Sequence, residues 1–413
     1  MSVIVEKELP KGWAEATLEH TTEILDGRRI PINSRERENR KGSIPYYGAT
    51  GQVGWIDDYI FDEELVLLGE DGAPFFENSK NKAYIVDGKS WVNNHAHVLK
   101  GKFGILENKF LLHLLNRIDY HDYVNGTTRL KLNQSSMRRI PIPLPPLNEQ
   151  KRIVAKIEEL FSLVDSAKDT LEKTKILLNQ YRQSLLNSFF RNSSIKKSMS
   201  ECCMIGTGGT PSRKKPEYYN GNIPWIKTGE IKNSYINQTE EKITQEGLEN
   251  SNAKIFPEHS IIIAMYGEGK TRGRCGILSV PASTNQACAV LVCNSDILFY
   301  KYCFYWLISQ YYKIRSIASG GNQPNLNLSK IKNLQIPLTT LEQQKVIVAK
   351  IEESFSLIEK NEILIEQLLI QYKQIKNSIL KQAFEGKLVP QDPNDEPAEV
   401  LLERIIEEKN HVQ

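Results

Sequence analysis

The chain has 413 residues, 40% of them apolar and 25% charged, which fits two or three globular domains and excludes a chain disordered throughout. Its net charge is +3, but residues 387–413 hold three basic and seven acidic side chains, so residues 1–386 carry +7. A mildly basic body with an acidic tail is compatible with nucleic acid without requiring it.

The N-terminal sequence MSVIVEKELPKGW has no basic region followed by an apolar stretch, and no run approaches the roughly 18 apolar residues of a membrane span. We therefore expect a cytoplasmic protein. From there to residue 143, short apolar or aromatic runs such as IPYYG, ELVLLGEDG and NNHAHVL alternate with Gly, Pro and Asn. This texture predicts short strands and loops with a few helices, one of them over Lys109–Val124.

Several cationic side chains of this first block are candidates for DNA contact, because arginine can form two hydrogen bonds to guanine and both arginine and lysine attract phosphate. They are Arg28, Arg29, Arg35, Arg37, Arg40 and Lys41. A solvated basic surface is the alternative for each. His95 and His97 alternate like one face of a strand, but without a third ligand nearby a packed or hydrogen-bonding role is favoured over a metal site.

A long helix follows in residues 144–192, predicted from Leu147 to about Phe190. The chain enters it through PIPLPPL, where proline in the first turn costs no hydrogen bond. Asn192 stands where a left-handed residue would end it.

Residues 193–337 have the texture of the first block, with IPWIKTG, SIIIAMYGEG and an aromatic helix at Ile297–Ile317 that we interpret as core. All six cysteines lie here without zinc spacing, which favours reduced, buried thiols. AMYGEGKT matches a relaxed phosphate-loop pattern, but the following RGRCGILSVPAST predicts no helix to complete a nucleotide site. The DNA-binding candidates of this block are Arg213, Lys214, Lys215, Lys270, Arg272 and Arg274.

The long helix then returns in residues 338–386. LNEQKRIVAKIEELFSL at Leu147 and LEQQKVIVAKIEESFSL at Leu341 share 13 identities in 17 positions at an offset of 194. Thr340 and Gln343 fit a capping box, and Gly386 takes the stop position that Asn192 takes in the first copy.

Apolar positions alternate by four and three along both copies, which is typical of a coiled coil. The predicted seam consists of Ile153, Ile157, Leu160, Val164, Leu171 and Leu178, then Ile347, Ile351, Ile358, Ile365, Leu368 and Ile375. It also includes Tyr181 and the polar Ser354 and Asn361. Because the copies are homologous, the simplest arrangement is an antiparallel pair within one chain under a pseudo-twofold axis. Pairing between two chains is the alternative.

The offset of 194 extends beyond the helices, because GTTRLKLNQSSMRRIPIPL at Gly126 aligns with GGNQPNLNLSKIKNLQIPL at Gly320. The same slot therefore holds Thr128, Arg129 and Lys131 in one copy and Asn322, Gln323 and Asn325 in the other. Arginine reads guanine and Asn or Gln reads adenine, so this exchange suggests two readers of different sequence. Weaker echoes, such as VNNHAHVL and TNQACAVL, indicate that the duplication covers both halves.

No nucleophile and base, carboxylate pair, metal triad or base-holding methyltransferase motif stands out, so the sequence predicts a binder. Residues 387–413 predict an acidic tail with a short helix that has Pro397 in its first turn.

These residues resemble the specificity subunit of type I restriction-modification systems, and the resemblance covers nearly the whole chain. It rests on IPLPPLNEQKRIVAKIEELF and IPLTTLEQQKVIVAKIEESF at the helix entries, GGTPSRKKPEYYNGNIPWIKTGEI, NLNLSKIKNLQIPL, and KQAFEGKLVPQDPNDEPAEVLLERI at the end. The departure is TTL for PPL at Thr339, which the capping box accommodates.

The resemblance implies an α/β (α+β) fold with two target-recognition domains, residues 1–143 and 193–337, separated by the two helices. Each domain would read one half of a split site in double-stranded DNA, and the helices would hold the unread gap. Methyltransferase subunits, typically two in such systems, would dock on this frame and restriction subunits would join the complex. S-adenosylmethionine, ATP and Mg²⁺ would belong to those partners, and none to this chain. The family also brings the two chain ends close together.

Three alternatives remain at this stage. A stand-alone DNA adenine methyltransferase would methylate DNA without a partner, a phosphate-loop ATPase would bind ATP through Lys270, and a structural coiled-coil adaptor would not bind DNA in a salt-dependent way.

Overall fold

The computed structural model describes residues 9–77, 80–191, 195–267, 269–318 and 325–411, with side chains up to residue 404. The chain divides into two compact units: unit 1 comprises residues 1–171 and 366–413, and unit 2 comprises residues 172–365. Within the described ranges, every helix is too short or too polar to cross a membrane.

The first half contains twelve strands and five helices among the described residues. The strands are β1 Ala14–Thr17, β2 Thr22–Ile24, β3 Ile44–Gly48, β4 Gly51–Ile56, β5 Phe61–Asp62, β6 Leu65–Gly69, β7 Ala83–Val86, β8 Lys89–Val92, β9 Ala96–Gly101, β10 Val124–Asn125, β11 Lys131–Leu132 and β12 Pro141–Leu144. The helices are α1 Leu18–Thr21, α2 Ser34–Asn39, α3 Asn108–Leu115, α4 Gln134–Arg138 and α5 Leu147–Phe189.

The second half repeats this mixture of short strands and a long helix. Its strands are β13 Ile195–Ser198, β14 Cys203–Thr207, β15 Tyr219–Ile226, β16 Tyr235–Ile236, β17 Glu241–Ile243, β18 Ile261–Ala264, β19 Cys275–Leu278, β20 Ser283–Thr284, β21 Cys288–Cys293 and β22 Gln335–Leu338. Its helices are α6 Met199–Cys202, α7 Gln245–Glu249, α8 Tyr300–Ser309, α9 Tyr311–Ser316, α10 Leu328–Lys332, α11 Leu341–Phe384 and α12 Ala398–His411.

Unit 1 is built on two four-stranded sheets, with strand orders β2-β9-β6-β7 and β4-β3-β8-β5. Every residue of β6, LVLLG, is buried, as expected for a central strand covered on both faces. The ends of the globular part meet in the short antiparallel pair of β1 and β12.

Unit 2 repeats the same plan. Its sheets have the orders β14-β21-β18-β19-β16 and β17-β15-β20, and β13 pairs with β22 as β1 does with β12. Among the described strands, unit 1 has one parallel pair, β3 with β8, and unit 2 has two, β15 with β20 and β16 with β19. The repeat therefore covers the sheets as well as the helices.

One turn shows the repeat at atomic detail. The side chain of Asn93 accepts a hydrogen bond from the His95 amide at 2.8 Å, and that of Asn285 accepts one from the Ala287 amide at 3.2 Å. Here the offset is 192 rather than 194, so the second copy has two more residues than the first between this turn and the long helix.

Two predicted helices are shorter than expected. The one predicted over Lys109–Val124 ends at Leu115, because the Asn116 side chain binds the Leu112 carbonyl and the Tyr120 hydroxyl binds the Leu115 carbonyl. The one predicted over Ile297–Ile317 is interrupted at Gln310 and becomes α8 and α9. The spacing of apolar residues does not predict where a helix ends when side chains further along the chain bind its last carbonyls.

The long helices α5 and α11 pack on each other in antiparallel fashion within each unit. In unit 1 the Asp165 carboxylate accepts hydrogen bonds from the Tyr372 hydroxyl at 2.7 Å and the Lys376 ammonium at 2.8 Å. In unit 2 the Arg182 guanidinium binds Glu362 at 3.0 Å and stacks over Phe355 at 5.2 Å. The predicted pairing within one chain is confirmed.

Four of the fifteen predicted seam positions are exposed rather than inward. Ile153, Ile157, Ile351, Ile358 and Ile365 are buried, but Leu368 and Ile375 are 38% and 47% exposed and lie outside the seam.

Tyr181 and Asn361 are exposed as well, and Arg182, Glu362 and Lys376 take the inward positions instead. The remaining predicted positions are half-buried: Leu160, Val164, Leu171, Leu178, Ile347 and Ser354. Because charged pairs occupy part of the seam, counting apolar residues selected the neighbouring positions.

A buried glutamine anchors each long helix to its globular part. The Gln150 amide donates to the carbonyls of Ile105 and Pro145 at 2.8 and 3.0 Å and accepts from the Glu107 amide at 2.9 Å. Gln344, at the offset of 194, repeats this pattern. It donates to Ile297 and Thr339 at 2.9 and 2.8 Å and accepts from Phe299 at 2.8 Å.

The helix ends follow the sequence where the structure describes them. Gly386 has φ +67 and closes α11, while Asn192 lies outside the described residues. The Thr340 hydroxyl accepts a hydrogen bond from the Gln343 amide at 3.4 Å, but the Gln343 side chain binds the Thr339 hydroxyl. Only one of the two hydrogen bonds of the predicted capping box is therefore present.

The tail docks on the N-terminal lead in unit 1, as the resemblance implies. The Ala398 amide donates to the Gly12 carbonyl at 2.9 Å, Asp395 pairs with Arg152 at 2.6 Å, and Trp13 donates to the buried Glu149 at 3.0 Å.

Candidate nucleic-acid interface

In unit 1, two loops lie side by side at the end of the buried strand β6. The Leu132 amide donates to the Glu70 carbonyl at 2.7 Å, and the Gly72 amide donates to the Leu130 carbonyl at 3.0 Å. This backbone pairing brings the predicted residues Thr128, Arg129 and Lys131 against the loop that begins at Glu70.

The two cations in this loop pair are exposed and held by carboxylates. Arg129 binds Asp71 at 2.6 Å and Lys131 lies 3.2 Å from Glu70, yet both side chains are more than half exposed. Carboxylates that hold arginine and lysine in place leave other donors of each cation free to contact phosphate or base edges.

The loop pair borders an open cleft of about 900 Å³. Besides Thr128 and Arg129, it is lined by Thr50, Phe76, Lys80 and Asn81. Phe76 is exposed and stacks on His121 with ring centroids 4.1 Å apart. The cleft thus combines an aromatic face, cations and an amide, the chemistry that binds bases and phosphates.

Sequence reasoning missed the contribution of Phe76, Lys80 and Asn81. The signal was present in the run APFFENSKNK, in which two aromatics and two lysines follow a Gly-containing turn.

Unit 2 brings the equivalent loops together. The Leu326 amide donates to the Met265 carbonyl at 3.1 Å, the counterpart of the Leu132 contact. Asn325, half-buried, therefore lies beside the loop between β18 and β19 that carries Lys270, Arg272 and Arg274. Asn322 and Gln323 lie outside the described residues.

Helix α9 supports this basic loop. The Tyr311 hydroxyl donates to the Lys270 carbonyl at 2.7 Å, and the Arg315 guanidinium donates to the carbonyls of Arg272 and Gly269 at 2.7 and 2.8 Å. The Lys270 side chain is exposed, whereas Arg272 and Arg274 are half-buried. A turn and strand β19 follow Lys270, so a helix does not complete the phosphate-loop pattern.

The basic segment of unit 1 is only partly available for a ligand. Arg29 is largely buried and binds Glu70 at 2.8 Å and the Ala96 carbonyl at 2.7 Å. These contacts give Arg29 a structural role, and its assignment as a DNA contact stays a prediction. The sequence could not reveal this, because its partners lie 41 and 67 residues away.

The other members of that segment remain at the surface to different degrees. Arg28 pairs with Glu63 at 3.4 Å, and Arg37 stacks over Tyr46 at 4.8 Å. Arg35 and Lys41 are exposed, and Arg40 pairs with Asp57 at 2.8 Å.

In unit 2, Arg213 stacks over Tyr219 and Trp225 at 4.4 and 5.1 Å and binds Glu241 at 2.6 Å. Hydrogen bonds from Arg213 and then Lys227 lower the pKa of Glu241, so it stays charged and holds Arg213 in place. Lys214 is exposed, and Lys215 donates to the Tyr218 hydroxyl at 2.8 Å.

His97 has the hydrogen-bonding role that the sequence favoured. It is buried and contacts the Asp26 carboxylate at 2.6 Å and the Leu132 carbonyl at 2.8 Å. Through Leu132 this buried pair fixes the base of the loop that carries Thr128 and Arg129.

The long helices carry a second surface of interest. Three exposed apolar side chains recur in each unit at the offset of 194: Leu163, Ile370 and Ile375 in unit 1, and Leu357, Ile176 and Tyr181 in unit 2. Large apolar side chains that stay exposed at matched positions are typical of docking surfaces.

Comparison with known proteins agrees with this arrangement. The family model described as the type I restriction modification DNA specificity domain matches twice, at residues 10–175 and 195–369. A putative type I restriction enzyme specificity subunit of Haemophilus influenzae is 29% identical over 88% of this chain and 94% of its own length. The EcoBI specificity subunit of Escherichia coli is 22% identical over 96% of this chain and 92% of its own length.

Among solved structures, the HsdS subunit from Thermoanaerobacter tengcongensis has a TM-score of 0.64 at 18% identity and covers 93% of this chain and 99% of its own. A chain from a study of complex assembly in the type I R-M system has a TM-score of 0.67 at 18% identity, covering 92% and 100%. These structures show the same fold. With two domain matches that together span most of its length, the chain belongs to the family of type I restriction-modification specificity subunits.

Proposed function

We propose that this chain gives a type I restriction-modification complex its sequence specificity, with each globular domain reading one half of a split, asymmetric site in double-stranded DNA. The supporting observation is the loop pair that follows β6 in unit 1 and β18 in unit 2. The backbone hydrogen bonds of Leu132 and Leu326 are equivalent, but the exposed side chains around them differ. Equivalent frames with different polar groups suit the recognition of two different half-sites.

The chemistry would reside in the partner subunits. The family consists of recognition subunits, so we place S-adenosylmethionine on methyltransferase subunits and ATP and Mg²⁺ on restriction subunits, all in the cytoplasm. A stand-alone methyltransferase does not fit the two DNA-specificity domains. The purified chain mixed with labelled S-adenosylmethionine and DNA should transfer no methyl group. Methyl transfer by the purified chain would instead support a stand-alone methyltransferase.

We propose two methyltransferase subunits, one on each copy of the exposed apolar set. Leu163→Asp should remove one methyltransferase subunit from the assembled complex, Leu357→Asp should remove the other, and the double variant both. Native mass spectrometry counts them directly. Gln180→Asp, an exposed helix position outside the set, is the control. Two bound subunits in the double variant would refute the assignment.

The decisive test of DNA reading is methylome mapping. We would co-express the chain with its methyltransferase subunit and sequence methylated adenines across a genome, expecting one motif in two parts with a fixed gap. Arg129→Ala should relax or abolish one half-site and Lys270→Ala should affect only the other. Lys173→Ala, exposed on α5, serves as control. A contiguous motif, or none with an intact complex, would favour a structural adaptor instead.

A further inference from the structure

Three of the six cysteines converge inside unit 2. Cys203 begins β14 and Cys293 ends β21, and these residues face each other directly across the antiparallel pair. Cys303 approaches from α8. The Cys203 and Cys293 sulfurs are 3.6 Å apart, and all three sulfurs lie within 4.8 Å of one another.

These separations suit a metal ion held by three sulfurs. With metal–sulfur bonds of about 2.3 Å, three thiolates around one ion in a plane stand about 4 Å apart, so small side-chain rotations would complete the site. Thiolate ligands select soft ions such as zinc and monovalent copper over magnesium or calcium.

The group has a route to solvent. Cys203 and Cys303 are buried, but Cys293 lines a cleft of about 220 Å³ together with Glu258, His259 and Tyr300. An ion could enter from this cleft, and its fourth position would face it. Zinc sites with three protein ligands keep such a position for water.

The thiolate is the form of cysteine that binds metal, so binding of a divalent ion would release the thiol protons of the group to solvent. Three thiolates around one divalent ion would leave a complex of charge −1.

We propose that Cys203, Cys293 and Cys303 form a binding site for a thiophilic divalent cation, with zinc as the natural candidate, that ties the β14 and β21 pair to α8. The sequence did not suggest this, because the ligands are 90 and 10 residues apart and form no CxxC pair. Such a site would be independent of DNA recognition.

Cadmium is a suitable probe, because its bonds to thiolates absorb in the ultraviolet. The full-length chain would be stripped with a chelator under anaerobic reducing conditions and titrated with Cd²⁺. We expect the absorption to saturate at one ion per chain and the thermal unfolding of the chain to move to higher temperature. Cys293→Ala and Cys303→Ala should lose the absorption, and Cys288→Ala, another buried cysteine outside the group, should keep it.

A second measurement uses the unaltered chain, in case a variant fails to fold. Cd²⁺ should protect Cys293 from alkylation by N-ethylmaleimide, read by mass spectrometry of the peptides. No absorption, unchanged absorption in Cys303→Ala, loss in Cys288→Ala, or alkylation of Cys293 that Cd²⁺ does not slow would each overturn the proposal.

Discussion

The Asp26 carboxylate joins three parts of the first globular domain. It accepts hydrogen bonds from the Val98 amide at 2.8 Å, from His97 at 2.6 Å and from the Gln134 side chain at 3.0 Å. Burial raises its pKa, but hydrogen bonds and charge from His97 outweigh it, so the pKa lies below the ordinary value. A carboxylate in this state stabilises the fold only while it is ionised.

Asp26→Asn should therefore lower the free energy of unfolding by roughly 2–4 kcal/mol near pH 7. Because the folded pKa is below the unfolded value of about 3.9, the stabilisation is present above that pH and disappears as the pH falls through the folded pKa. Urea unfolding at pH 7 and in acid should show the difference between wild type and variant shrinking. Asp87→Asn, exposed in the same unit, is the control and should leave the free energy of unfolding unchanged both at pH 7 and in acid. A constant difference across pH would contradict the assignment.

The buried glutamines provide a matched pair at the same scale. Gln344→Ala leaves two carbonyls and one amide without their partner, so we expect a loss of roughly 2–4 kcal/mol, and a similar loss for Gln150→Ala. Gln371→Ala and Gln180→Ala, exposed on the same helices, should stay within about 0.5 kcal/mol. Calorimetry of the four variants makes the comparison. Equal effects in buried and exposed positions would show that the anchors are not needed.

At the scale of elements, adjacent residues of α11 distinguish the seam from the outer surface. Ile358 is 3% exposed and Leu357 is 57% exposed. Ile358→Ala should cost about 2–5 kcal/mol of stability, through lost burial and a cavity, while Leu357→Ala should cost about 0.5 kcal/mol or less. Chemical denaturation of both variants tests it. A larger effect at Leu357 would mean that the inward face has been assigned wrongly.

The sequence predicted the long helices closely, since α5 and α11 differ from the expected bounds by only a few residues. It predicted the end of α11 at Gly386 and the inward isoleucines Ile153, Ile157, Ile351, Ile358 and Ile365, because these obey local or periodic rules. The buried contacts of Arg29 could not be predicted, because the sheet brings the Ala96 carbonyl to it from 67 residues away. The early end of α3 could not be predicted either, because it depends on the Asn116 and Tyr120 side chains binding the last carbonyls of the helix. The cleft beside Arg129 was predicted in part, since the duplicated slot was seen and Phe76 was not.

For the whole molecule, we propose that the paired helices set the gap between the two half-sites. Seven residues inserted after Leu171 and seven after Ile365, its equivalent at the offset of 194, preserve the seven-residue repeat of the seam. They add about 10.5 Å of helix, or roughly three base pairs.

We expect methylome mapping of this double insertion to show a gap about three base pairs longer and unchanged half-sites. Insertion into α5 alone should destabilise the pair, because the two seams then lose their register. Changed bases in either half-site together with an unchanged gap would contradict the proposal that the paired helices set the gap.

The division of the chain into units has a consequence for its synthesis. Unit 2 is one continuous stretch, residues 172–365, whereas unit 1 needs residues 366–413 to complete its core, where Ala383 and Ala398 are buried beside Trp13. Domains tend to fold as they leave the ribosome. The N-terminal part of unit 1 is therefore translated first but can complete its core only when residues 366–413 have been translated. A ribosome that stops before residue 366 releases a chain with all of unit 2 and an incomplete unit 1.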